Sequence, residues 1–171
     1  MSIRSVPAQA PHTIAVASGK GGVGKTLTTV NLAVAARRMG QTVLILDGDL
    51  GLANVDVLMG ISPRYTLAHV LSGERTLQEV IVQAPNGIRI APGASGVARM
   101  ANLSPAEHIG LVRAFSGLGS EIDTLIVDTS AGIADGVLRF SQAAQHVLLV
   151  IRDEPASITD AYALMKVLSR E

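Results

Sequence analysis

The feature that most restricts how this chain can fold is the glycine-rich segment at residues 19–26, Gly-Lys-Gly-Gly-Val-Gly-Lys-Thr. It matches the pattern G-x-x-x-x-G-K-[ST], in which backbone N–H groups and the first turn of a helix surround phosphate oxygens. The motif requires a buried strand before the loop and a helix after it. An apolar run at 13–18 and an amphipathic helical pattern at 25–39, with Leu27, Val30 and Val34 on one apolar stripe, meet that requirement. The segment therefore predicts a P-loop.

Each position of the predicted P-loop has an expected task. The glycines allow N–H groups to curl around phosphate, Lys25 reaches the β- and γ-phosphates, and Thr26 is a ligand of Mg²⁺. The residues expected to contact a nucleotide are Gly19, Lys20, Gly21, Gly22, Val23, Gly24, Lys25, Thr26 and Leu27.

The same glycines permit a second interpretation. Gly19, Gly21 and Gly24 also spell G-x-G-x-x-G. Asp47 ends the next strand about twenty residues later, where a dinucleotide-binding domain places the acid that binds its ribose. That kind of site has no need of the lysine and threonine at 25–26. A dinucleotide-binding oxidoreductase stays open as an alternative, as does a non-hydrolysing interaction module.

Short apolar runs that alternate with helical patterns indicate the fold. Buried strands are predicted at 13–18, 42–47, 87–91, 124–128 and 146–151. Helices are predicted at 25–39, 104–118 and 156–168, with short helical pieces over 54–83. Because only 2% of the residues are aromatic and 48% are hydrophobic, the core is aliphatic, as in parallel sheets covered on both faces. We predict a doubly wound, mostly parallel α/β sheet of the P-loop NTPase fold, in which 1–12 form a flexible lead and 13–171 one domain.

Composition excludes several classes of function. The chain has no Cys, which rules out disulfides, Cys-ligated zinc or iron–sulfur clusters, and a thiol nucleophile. The 14 Lys and Arg balance the 14 Asp and Glu, so charge gives no case for a nucleic-acid partner. No apolar run approaches the ~18–20 residues needed to cross a bilayer, and the N-terminus lacks the apolar stretch of a secretory signal. We expect a cytoplasmic protein.

Three aspartates follow predicted strands where they can meet the P-loop. Asp128 ends the run Thr-Leu-Ile-Val-Asp, which has the Walker B form, and Asp47 and Asp49 occur together as Asp-Gly-Asp. Ligands of parallel sheets bind at the carboxyl ends of strands. P-loop ATPases use acids there to hold the Mg²⁺ shell and to orient the attacking water. The sequence therefore predicts that the three carboxylates converge on the phosphates.

The segment 20–26, Lys-Gly-Gly-Val-Gly-Lys-Thr, resembles the deviant Walker A motif of the MinD/ParA ATPases, which is marked by an extra lysine at its start, here Lys20. The segments 47–56 and 128–133 are similar to the switch segments of that family. The resemblance covers 13–171. Three stretches look like the flagellar-number regulators of the FlhG/FleN type, namely 54–60, 103–107 and 153–163.

The resemblance implies a role for each site residue. Lys20 would reach across an ATP-bound dimer to the phosphates of the partner, while Lys25 and Thr26 keep their P-loop roles. Asp49 would position or polarise the attacking water, so Asp49, Lys20 and Lys25 are the expected catalytic residues. Asp47 and Asp128 would hold the Mg²⁺ shell through waters, which makes Thr26, Asp47 and Asp128 the expected metal set.

At the level of function, the resemblance implies a Mg²⁺-dependent ATPase that dimerises with ATP and separates after hydrolysis to ADP, and that regulates the number or placement of flagella. A division-site or DNA-partition ATPase is the alternative within the superfamily. The implied partners are a second copy of the chain, an SRP-type GTPase of flagellar placement, and flagellar regulators or basal-body components.

Relatives of this family continue for many tens of residues beyond the point that corresponds to Glu171. The later strands, the residues that grip adenine and a C-terminal amphipathic membrane helix are missing here by comparison. We therefore expect an uncovered sheet edge. Peripheral attachment to the inner face of the cell membrane is expected only where the full protein has that helix.

Overall fold

The computed structural model describes residues 10–97, 103–119 and 121–170. These residues form one six-stranded sheet with the order β3-β4-β2-β5-β1-β6, in which every neighbouring pair is parallel except the antiparallel β3–β4 pair. The strands are β1 His12–Ser18, β2 Val43–Gly48, β3 Val82–Gln83, β4 Arg89–Ala91, β5 Thr124–Ala131 and β6 His146–Leu149. The predicted α/β class and mostly parallel sheet are confirmed.

Within the described residues, seven helices accompany the sheet. They are α1 Lys25–Arg38, α2 Val55–Leu58, α3 Leu67–Leu71, α4 Leu77–Val80, α5 Pro105–Ser116, α6 Asp135–Ala143 and α7 Pro155–Leu168. Alternate residues of β2 enter different cores. Leu44 and Leu46 pack with residues of α5 and α6, whereas Val43 and Ile45 pack with residues of α1. This alternation follows from the two-residue period of a strand and explains why the whole of β2 is buried.

The start of α5 agrees with its sequence pattern. Ser104 is the N-cap and Pro105 the first helical residue, and the Ser104 hydroxyl and the Glu107 carboxylate form a reciprocal capping box. Such a box satisfies backbone donors that the first helical turn leaves free. The sequence did not predict α6 or β3. Both are short, and α6 follows the loop after β5 without a side-chain cap.

The buried face of α1 differs from the prediction. The apolar stripe expected to face the core included Leu27, yet Leu27 is 58% exposed. The buried residues of the helix are Lys25, Thr29 and Ala33 instead. The polar pair is buried because it meets Asp128 within β5.

The prediction of a fully buried strand at 146–151 is also wrong. β6 pairs only with β1, so it is an edge strand in the described part of the chain. Val147, Leu148 and the following Ile151 are exposed, as are Ile158 and Tyr162 of α7. The expected uncovered edge is therefore present. None of the described helices combines the length and apolar character that crossing a membrane requires.

Candidate nucleotide-binding site

The glycine-rich loop lies at the carboxyl edge of the sheet, between the end of β1 and the start of α1. β1 pairs with β5, and β5 pairs with β2. Asp47 and Asp128 stand opposite each other in the β2–β5 register, and Val16 of β1 stands opposite Asp128 on the other side. The parallel order thus brings the loop and the acids from two strands to one place.

Two glycines of the loop are required by their surroundings. Gly24, the N-cap of α1, has φ of 97°, a left-handed conformation that favours glycine. A Cβ on Gly19 would overlap the backbone of Asp160 and Ala161 in α7. In contrast, a Cβ on Gly21 would meet no atom within 4 Å. The loop is therefore fixed against α7 at its first residue and open to a ligand at its centre.

The ammonium group of Lys25 is paired with Asp128, an acid of β5. Its Nζ donates to Asp128 Oδ1 at 3.3 Å, and both side chains are buried. Thr29 Oγ1 lies 3.0 Å from the same carboxylate oxygen and donates to it. A buried charge that is paired and hydrogen-bonded keeps a fixed position. Thr29 was missed by the sequence motif, although it lies one helical turn after Lys25 on the same face.

Asp47 is a buried carboxylate with one satisfied oxygen. Its Oδ2 accepts hydrogen bonds from the backbone N–H groups of Asn54 and Val55, both at 3.0 Å. Its Oδ1 has no hydrogen-bond partner among the described residues. Burial raises the pKa of Asp47 to about 7, with a further contribution from the nearby Asp128 carboxylate. An orphaned carboxylate oxygen beside a phosphate loop suits a cation or its water shell.

Asp49 lies just beyond β2 and is half-buried. Burial also raises the pKa of Asp49, and the positive charge of Lys25 opposes that rise. Asp49 lines a cavity of about 670 Å³ together with Ser130, His108 and Gly136. The cavity gives the Asp49 carboxylate room for water.

Lys20 forms its ion pair with Glu154, which is not one of the three aspartates at the P-loop. Its Nζ lies 3.6 Å from Glu154 Oε1, in the loop between β6 and α7, and Arg152 Nε lies 3.8 Å from the same oxygen. Both side chains of the Lys20–Glu154 pair are partly exposed. Lys20 thus lies on the outer side of the P-loop, away from the Lys25–Asp128 pair. Of the other predicted loop residues, Thr26 and Val23 are half-buried and Leu27 points to solvent.

The residues present fit Mg²⁺ and a nucleoside phosphate better than a dinucleotide. In the dinucleotide interpretation Asp47 would bind a ribose, but Asp47 is 1% exposed and accepts two backbone hydrogen bonds. Its remaining oxygen is buried, and the Asp128 carboxylate lies nearby. A buried carboxylate oxygen without a hydrogen-bond partner among the described residues suits a cation or its waters better than a sugar hydroxyl.

The chain is similar to known proteins in sequence and in fold. A family model described as an AAA domain matches residues 11–170. The antiactivator FleN of Pseudomonas aeruginosa is 56% identical over 160 residues, which cover 94% of this chain and 57% of FleN. The flagellum site-determining protein YlxH of Helicobacter pylori is 40% identical over 157 residues, which cover 92% of this chain and 53% of YlxH.

Among solved structures, the septum site-determining protein MinD of Pyrococcus horikoshii, complexed with Mg-ADP, superposes with a TM-score of 0.82 at 30% identity. The match covers 94% of this chain and 65% of that MinD chain. The chain spans little more than half the length of the curated relatives named above.

Proposed function

Because the chain belongs to the AAA domain family and to its MinD/ParA type, we propose that it is a Mg²⁺-dependent ATPase switch of the flagellar-number-regulator kind. The observation that carries the proposal is the 56% identity to FleN over 160 residues. That match extends across the P-loop and the three aspartates at the carboxyl edge of the sheet. The oxidoreductase alternative is not proposed, since Asp47 is buried against backbone donors.

The proposed chemistry is the transfer of the γ-phosphoryl group of ATP to water. The open glycine backbone at 21–24 binds the phosphates, and Lys25, fixed by Asp128 and Thr29, places its charge on them. Bound Mg²⁺ supplies neutralisation of the phosphate oxygens. Thr26, Asp47 and Asp128 would hold that ion and its waters.

Asp49 is proposed to orient the attacking water. Its position on the wall of the 670 Å³ cavity supports this role, as does the pKa of its carboxyl, which burial raises. A carboxylate with a raised pKa accepts a proton more readily at neutral pH.

We further propose that ATP drives formation of a homodimer through Lys20. The ion pair between Lys20 and Glu154 is partly exposed, and such pairs typically contribute only about 0–1 kcal/mol. The pair is therefore weak enough to open when the phosphates of a second copy offer Lys20 a stronger partner. Nucleotide state and association are then linked, because Lys20 gains its phosphate contact only in the dimer.

The proposed process is control of flagellar number or placement, with an SRP-type GTPase and flagellar regulators or basal-body components as partners. A division-site ATPase is the second candidate, favoured by the TM-score of 0.82 to MinD. Peripheral attachment to the inner face of the cell membrane is proposed only for a full protein that carries an amphipathic helix.

One genetic experiment separates the two processes. The gene is replaced in its organism of origin by the Lys25→Ala variant. Electron microscopy then gives the number of flagella per cell and the cell length. Altered flagellar number with normal division supports the proposal. Normal flagella with filamentous or minicell-forming cells would support the MinD-type alternative instead. ATP binding by the purified variant is measured separately, and a variant that still binds ATP would show that Lys25 lacks its assigned role.

A further inference from the structure

Two histidines meet at the amino-terminal edge of the sheet, opposite the P-loop. His12 is the first residue of β1 and His146 the first residue of β6. In the parallel register Ile14 stands opposite His146, so His12 lies two residues before that pair on the same side of β1. The two imidazole rings have centroids 4.9 Å apart and are tilted by 47°. They are remote in the sequence, so no ligand spacing could reveal them.

The backbone beneath the two rings is firmly held. His12 N–H donates to the Asp123 carbonyl oxygen at 2.8 Å, and Gln145 N–H donates to the Thr13 carbonyl oxygen at 3.0 Å. Thr13 N–H in turn lies 3.3 Å from Gln145 Oε1. Both histidines therefore project from fixed strand ends, which lowers the ordering cost of binding a shared ligand.

Both rings are accessible to solvent. Both histidine side chains are exposed, and among residues 10–97, 103–119 and 121–170 the one contact recorded for the rings is the contact between them. A polar cavity of about 280 Å³ adjoins His12 and is lined also by Asp123 and Gln145. It leaves room for water beside the His12 ring.

We propose that His12 and His146 form a two-histidine site for a divalent transition-metal ion of the zinc, nickel or copper class. Imidazole nitrogen is a preferred ligand of these ions, whereas Mg²⁺ prefers oxygen. Zinc–nitrogen bonds are about 2.0–2.1 Å long, so two nitrogens on one ion lie at most about 4.2 Å apart. Rings with centroids 4.9 Å apart reach that range by rotation of exposed side chains. No group of three or more candidate ligands occurs among the described residues, so the site has two protein ligands and is open to water.

The bound ion would join the start of β1 to the start of β6. β6 is the edge strand of the sheet that the described residues form, and its register with β1 covers four residue pairs. A metal link at its first residue holds the edge strand in register. The site does not depend on the proposed ATPase function, because it lies at the other end of the strands from the P-loop.

The test is calorimetric titration of the nucleotide-free protein with Zn²⁺, and separately with Ni²⁺ and Mg²⁺. Removal of a residue that only hydrogen-bonds to a metal ligand typically lowers metal affinity about 10–100-fold. Removal of a direct ligand should cost no less, so His12→Gln and His146→Gln should each weaken Zn²⁺ binding by at least about tenfold. Mg²⁺ should produce no heat at this site. His69→Gln is the matched control, since glutamine at N3 can retain the capping box that His69 forms with Thr66.

A second readout identifies the ligands directly. Nitrogen hyperfine splitting in the electron paramagnetic resonance spectrum of bound Cu²⁺ should report two imidazoles in the unmodified protein and one in each single variant. Equal Zn²⁺ affinity in the unmodified protein and in a His12→Gln/His146→Gln variant would overturn the proposal. So would Zn²⁺ binding that disappears only on Asp49→Asn, because the ion would then occupy the P-loop edge.

Discussion

Replacement of Asp47 by asparagine should make the nucleotide-free protein markedly more stable at alkaline pH. Burial raises the pKa of Asp47 from 3.8 to about 7 in the folded state. The unfolded chain therefore loses this proton at lower pH than the folded chain does. The contribution of Asp47 to stability is fully present below about pH 4 and is lost as the pH rises through about 7.

The size of the effect follows from the shift. One pKa unit corresponds to about 1.36 kcal/mol, so the rise from 3.8 to about 7 is worth about 4 kcal/mol. Asparagine does not ionise, and its amide oxygen can still accept from Asn54 N–H and Val55 N–H. Relative to the unmodified protein, the free energy of unfolding of Asp47→Asn should be nearly unchanged at pH 4 and higher by about 4 kcal/mol at pH 8.

Urea unfolding in EDTA, followed by circular dichroism at several pH values from 4 to 8, measures this difference. Asp153→Asn, which alters an exposed carboxyl, is the control and should follow the unmodified protein throughout. Parallel stability curves for Asp47→Asn and the unmodified protein would refute the reasoning. Saturating Mg-ATP should reverse the sign, because a bound cation favours the ionised carboxylate.

The remaining predictions concern the P-loop and Asp49. Gly19→Ala should lower the free energy of unfolding by at least about 2 kcal/mol, because the added Cβ would overlap the backbone of α7. Gly21→Ala, whose Cβ meets no atom within 4 Å, should change it little. Urea unfolding measures both variants. Lys25→Ala should abolish ATP binding in a fluorescent-nucleotide titration, and retained micromolar binding would contradict the assignment. Asp49→Ala should keep ATP affinity within about threefold yet lower turnover about 10²–10⁴-fold; a phosphate-release assay that finds full activity would remove its catalytic role.

The parts of the site that could be predicted are those encoded locally. The P-loop is a contiguous motif, and Asp47, Asp49 and Asp128 directly follow or closely follow apolar runs that are visible in the sequence. The rule that parallel strands present their carboxyl ends together then brings the acids to the loop. Sheet order supplies the rest, since β5 lies between β1 and β2.

Other contacts could not be predicted because they depend on tertiary packing. Thr29 is buried against Asp128, whereas an apolar stripe through Leu27 was the simplest interpretation of α1. The contact of Lys20 with Glu154 joins segments far apart in the sequence. Apolar content also failed to predict the exposure of Val147 in β6, because burial depends on which strand lies alongside.

The central claim, an ATP-driven dimer switch, is tested most directly by light scattering coupled to size-exclusion chromatography with Mg-ADP and with Mg-ATP. The Asp49→Ala background prevents turnover during the run. The account predicts a monomer with ADP and a doubled molar mass with ATP, and a monomer in both when Lys20→Ala is added. Lys166→Ala, an exposed lysine in the last turn of α7, should dimerise normally. A monomer with ATP, or a dimer that forms equally well without Lys20, would contradict the account.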